Sequence, residues 1–261
     1  MARRFESSNP VFTRSEPLVR ASGVGFRTTS VDEAARVFGA PQRLTMEDIL
    51  MKTAILLGVI FVTGAFAWVL DAGTGIVALS GIIGFVLAMV NIFKKQVSPP
   101  LVLAYAAVEG VFLGAISHAY ENRFQGGITA QAAIGTAAVF SAVLVGYKSG
   151  RLRATPKFTK MVTAAFLGLF VLLIVNMLAS LIGSGDGLGL RSGGPIAILF
   201  SLAFIAVGSM TFVLDFDQAD KMVAAGVDSR EAWRVSFGLV VGLVWLYLEV
   251  LRLLSYMQGR D

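Results

Sequence analysis

Four carboxylates sit where carboxylates are costly. Glu109, Asp215 and Glu249 fall within long apolar stretches, and Asp217 lies at the edge of one. A charge at the centre of a spanning helix costs about 2.5–3.5 kcal/mol on insertion scales. Two carboxylates sharing a low-dielectric site cannot both ionise cheaply, so they hold one proton between them. Coupled titration of such a pair makes a pH switch without histidine. Paired oxygens also suit a hard cation such as calcium. Glu249 on an interior helix face would meet another of these acids, with Asp215 embedded and Glu109 and Asp217 as secondary candidates.

Each acid also has a plainer reading. Glu249 and Arg252 are three apart and share a helix face, the spacing of a local salt bridge. Asp217 reads best as a solvated acid where its helix leaves the membrane, whereas Asp215 closes the uncharged run 196–214 and reads as embedded. Glu109 reads best as part of a packing helix, with a place on an ion path as the sharper alternative. Gly110 and Gly114 beside it have the small-residue spacing that brings helices close. Asn91 and Asn176 are expected to make interhelical hydrogen bonds, and His118 to lie at an interface.

The elements that must position these residues are spanning helices. The 261 residues are 56% hydrophobic and 15% charged, against roughly 25% charged in a soluble domain. A span needs about 20 mainly apolar residues. Seven stretches qualify: 50–70, 74–93, 99–120, 128–147, 160–182, 195–216 and 235–257. The fold class is therefore an all-α integral membrane protein, a seven-helix bundle with the last helix central; a re-entrant last segment would reduce the count to six. Residues 1–44 are polar and read as a disordered cytoplasmic tail, and 45–261 as the transmembrane domain. Thr45 and Asp48 have capping-box spacing. Ser98-Pro99-Pro100 and Ser192-Gly193-Gly194-Pro195 each place a capping hydroxyl before a proline suited to a first helical turn. Between the fifth and sixth stretches, Gly183–Gly194 holds six glycines and reads as a flexible loop.

Orientation follows from the basic residues. Residues 1–52, 94–95, 148–160 and 221–234 hold eighteen of the 22 Lys and Arg, leaving Arg123, Arg191, Arg252 and Arg260 opposite. The positive-inside rule then puts the N-terminus in the cytoplasm.

The sequence also excludes classes. It has no cysteine and one histidine, so thiolate chemistry, histidine metal clusters and disulfides are absent. The last stretch lacks the lysine a retinal protein needs. No phosphate-binding glycine motif occurs, and the basic residues flank apolar segments rather than forming a nucleic-acid surface. Gly183-Ser184-Gly185-Asp186 matches the pattern of intramembrane aspartyl proteases, but it lies in a loop and precedes Asp215, the reverse of that family's order.

Three segments carry a resemblance. Phe212-Val213-Leu214-Asp215-Phe216-Asp217-Gln218 resembles the end of the sixth helix of the transmembrane Bax inhibitor motif family, in its bacterial branch. Gly242-Leu243-Val244-Trp245-Leu246-Tyr247-Leu248-Glu249-Val250-Leu251 resembles its seventh-helix segment, and Tyr105–Gly110 resembles a form of its third helix. The likeness covers roughly residues 45–257. It implies a multi-pass protein of the bacterial inner (plasma) membrane, without a reaction or cofactor, that passes calcium as a pH-sensitive leak. Its partners would be the lipid bilayer, calcium ions and protons. Asp215 would take the first gating position and Glu249 the second, a glutamate where the family usually has aspartate. A latching arginine would correspond to Lys94 or Lys95. The competing expectation is a non-conducting regulator that acts on a membrane protease or stress response through a membrane protein partner.

Overall fold

The computed structural model describes residues 43–124, 126–182 and 187–259. The tail expectation, apart from its last two residues, and the Gly183–Asp186 motif lie outside them.

Seven long helices form: α1 (Met46–Val69), α2 (Thr74–Phe93), α3 (Pro99–Phe124), α4 (Ile128–Lys148), α5 (Pro156–Ile182), α6 (Pro195–Ala224) and α7 (Ala232–Gln258). All seven are long and apolar enough to span a membrane. The seventh is one unbroken helix, so the re-entrant alternative is not what the chain adopts.

Local chemistry sets the ends. The Asp48 amide donates to Thr45 Oγ1 at 3.1 Å, and the Thr45 amide donates to Asp48 Oδ2 at 3.3 Å, the reciprocal capping box. At α6 the cap is Gly194 with Pro195 behind it. Ser192 does not cap; its hydroxyl instead donates to the Gly189 carbonyl at 2.9 Å. The glycine loop folds back on itself there, and the hydroxyl points into it.

The core is a ring around α7. It packs against α1, α3, α4 and α6, while α2 leans on α3 and α5 on α6. Phe212, Leu251, Val240, Leu56 and Val102 are almost completely buried along these contacts. The outer surfaces are apolar, with Phe61 76% and Ile182 88% exposed, as lipid contact requires.

The tightest seam joins α1 to α3. A Cβ on Gly114 would lie 2.1 Å from the Gly64 carbonyl oxygen, and one on Gly110 would lie 2.5 Å from that of Ile60. The two backbones touch because neither glycine carries a side chain, as the spacing of 110 and 114 predicts.

The connectors gather at two ends. Arg234 donates to the Lys95 carbonyl at 2.7 Å, Lys52 to that of Ser229 at 2.9 Å, and Leu44 N–H to that of Val227 at 2.8 Å. These bonds place the start of α1, the α2–α3 connector and the α6–α7 connector together, at what is called here the basic end. The opposite end carries Asp71, His118 and the loop before α6.

Candidate functional site

Glu249 is 3% exposed, deep in α7 near the end opposite the basic one. Its Oε1 accepts from Arg252 Nη1 at 2.6 Å and from Arg191 Nη2 at 3.0 Å. Arg252 is one turn further along the same helix, so the local pair expected from the spacing is present. Arg191 comes from the glycine loop, 58 positions away in sequence. Ser201 of α6 and Trp245 of α7 flank the same carboxylate.

Arg191 is held in place by its neighbours. Asn176 Oδ1, near the end of α5, accepts from the backbone N–H groups of Leu188 at 3.0 Å and Leu190 at 3.3 Å. Tyr256 of α7 donates its hydroxyl to the Arg191 carbonyl at 3.2 Å. Gly187 begins the described part of the loop with φ +57, and a Cβ there would lie 2.5 Å from the Asn176 carbonyl oxygen. A side chain would therefore be both strained and blocked. Asn176 was expected to bridge helices; it pins a loop instead, because the chain turns back over the end of α5. Asn91 does bridge, donating to Leu87 within α2 at 2.9 Å and to Leu101 of α3 at 3.3 Å.

The structure separates Asp215 from Glu249. Phe212 packs so closely on α7 that a Cβ on Gly242 would lie 2.8 Å from its ring. From that crossing α6 carries Asp215 toward the basic end, while α7 carries Glu249 two turns the other way. The axial separation is about 15 Å at 1.5 Å per residue, too far for a shared proton or direct hydrogen bond. The offset arises because α7 begins at Ala232 and runs unbroken, which places Glu249 high along it. Asp215 is partly buried. Asp217 forms an ion pair with Lys221 one turn on, as a solvated helix-end acid would. Asp220 accepts from the Tyr147 hydroxyl at 2.6 Å, tying α6 to α4 nearby.

Lys94 and Lys95 do not supply the latch. Their backbone carbonyls accept from Arg234 at the basic end. Among the described residues, the basic side chains that do contact Glu249 are Arg191 and Arg252. Arg191 is the residue the sequence reading missed; its signal was a lone basic side chain inside a glycine-rich loop.

Glu109 does share a space with Glu249. Both line one cavity of about 990 Å³, with Tyr105, Phe112, Asn176 and Arg252 among its walls. Ser117 and Tyr247 hydroxyls, 2.6 Å apart, fix the level of α3 against α7. Glu109 lies eight residues below Ser117, so its carboxylate is roughly 15 Å deeper than that of Glu249. It is 8% exposed and sits beneath α2, where a Cβ on Gly84 would lie 2.7 Å from its Oε2. Among the described residues it has no hydrogen-bond or ionic partner. His118 lies at an end as expected, 3.1 Å from Asp71 and edge-on to Trp68.

Comparison with known proteins fits this architecture. The family described as Bax inhibitor 1 like matches residues 9–259. The chain belongs to that family. The match starts well inside the polar N-terminal segment, so the family relationship extends further than the 45–257 recognisable by motif. A search of the curated proteins returns no match. For a Bax inhibitor 1 like protein, seven apolar helices make a multi-pass membrane location and bilayer contact direct consequences of the sequence.

Proposed function

We propose that this protein is a passive, pH-sensitive cation leak, with calcium as the transported ion, caught in a closed state. The observation that carries the reading is one cavity with a buried acid, Glu109, at depth that has no partner among the described residues, and a doubly clamped acid, Glu249, toward one end. Acid oxygens spaced along a cavity give a hard cation successive sites. Two guanidiniums drawn onto Glu249 close the upper part of that route.

The clamp depends on the charge of Glu249. An ionised carboxylate accepts both charge-assisted hydrogen bonds. A protonated one keeps only a neutral acceptor and loses the ionic attraction to both arginines, so acidification that protonates Glu249 loosens the loop carrying Arg191. Flux then rises as pH falls. Asp215, nearer the basic end on α6, is the acid proposed to complete the route with Glu249 and Glu109. The N-terminus and basic end face the cytoplasm in this reading, following the distribution of Lys and Arg.

The test is calcium flux in liposomes holding the purified full chain, from pH 8 to pH 5. The expected outcome is flux that increases with acidity, and Glu249→Gln giving flux independent of pH across that range. No flux at any pH ends the leak reading and leaves a non-conducting membrane regulator. Normal pH dependence in Glu249→Gln would remove Glu249 as the gate.

A further inference from the structure

The cavity that holds Glu109 and Glu249 is also open at its side. Helix α2 packs on α3 and α5 packs on α6, and the two do not pack on each other. The gap between them is walled by Phe85 and Met89 from α2, Leu173 and Ile174 from α5, and Leu248 from α7. Phe85 is 64% exposed and Ile174 39% exposed, so the walls reach the lipid-facing surface. Along α7 the cleft extends from Val241 to Arg252, about 16 Å of helix, close to one leaflet of a bilayer whose hydrocarbon is about 30 Å thick.

Its top is basic. Arg191 and Arg252 share the single carboxylate of Glu249, leaving one net positive charge there among the described residues. A guanidinium has five N–H donors, and the buried Arg191 Nε has no acceptor among the described residues. Two guanidiniums sharing one carboxylate at the mouth of an apolar cleft suit an anionic group with a hydrocarbon tail. Phosphate is the group whose geometry the guanidinium fork matches.

We propose that the α2–α5 cleft binds a membrane phospholipid with a singly anionic headgroup. Its phosphodiester meets Arg191 and Arg252, and one acyl chain lies down the cleft past Leu248 and Ile174. The lipid balances the residual charge. Its chain lies between Glu109 and the surrounding bilayer. This site does not rest on the protein conducting ions.

The test is native mass spectrometry of the delipidated full chain, titrated with phosphatidylglycerol or phosphatidylcholine of equal chain length. Both lipids carry the phosphodiester, but choline's cation cancels its charge. The anionic lipid should therefore bind more strongly by about tenfold, the scale of one screened charge–charge interaction. Ile174→Trp fills the cleft from its lipid-facing wall and should reduce that binding with no change in melting temperature. Arg191→Gln should bring the two lipids to equal affinity. If Arg191→Gln fails to fold, Ile174→Trp decides the matter alone. Equal binding of both lipids to the natural chain overturns the proposal. So does unchanged binding in Ile174→Trp, or competition by the headgroup without acyl chains as effective as the whole lipid.

Discussion

The seam between α1 and α3 and the gap between α2 and α5 are opposite solutions within one bundle. At the seam, Gly64, Gly110 and Gly114 bring backbone onto backbone. At the gap, Phe85, Met89, Leu173 and Ile174 face one another across open space. Lipid tails are as apolar as these side chains, so no hydrophobic force closes the gap. Close fit is what joins helices in a membrane. The seam has that fit and the gap does not, so one region is a fixed frame and the other stays accessible.

The largest expected effect comes from breaking the seam. Gly114→Leu forces α1 and α3 apart and should cost about 3 kcal/mol or more, the upper range of overpacking, read as a fall in thermal or denaturant stability in detergent. The mouth of the gap ranks next. Arg252→Gln leaves Glu249 buried with one partner and should cost about 2–3 kcal/mol. Adding Glu249→Gln should recover most of that loss in a double-mutant cycle. The smallest effect belongs to the gap's wall. Ile174→Ala should change stability by about 0.5 kcal/mol or less, because lipid already contacts the side chain. A large loss for Ile174→Ala, or a small one for Gly114→Leu, would reverse the assignment of frame and opening.

Much of the frame was legible in sequence. The seven spans follow from apolar length alone, since a spanning helix satisfies its own backbone wherever it stands. The Thr45–Asp48 cap, the glycine pair and the Glu249–Arg252 bridge are all contacts within one turn, where spacing is geometry. The site was harder to read because its decisive partners are remote. Arg191 reaches Glu249 from another loop, and Asn176 holds that loop rather than a helix. The pairing of Asp215 with Glu249 was legible as chemistry but depends on the relative height of α6 and α7. That height is set by where Phe212 packs against Gly242, a packing detail with no local signature. Glu109 was identifiable as an embedded acid, while its place in the same cavity as Glu249 required the third dimension.

The central position of α7 has a consequence for how the protein is made. The helix that touches α1, α3, α4 and α6 leaves the ribosome after the other six. Until it arrives, Leu56, Val102 and Phe212 lack a shared partner, and the Ile49 carbonyl lacks the Ser236 hydroxyl that bonds it at 2.9 Å. The α1–α3 seam can form beforehand, but the six inserted helices wait for the seventh to lock them into one bundle. A chain cut short within the 27 residues of α7 would be inserted but unassembled, which makes the arrival of α7 the step that commits the bundle to its fold.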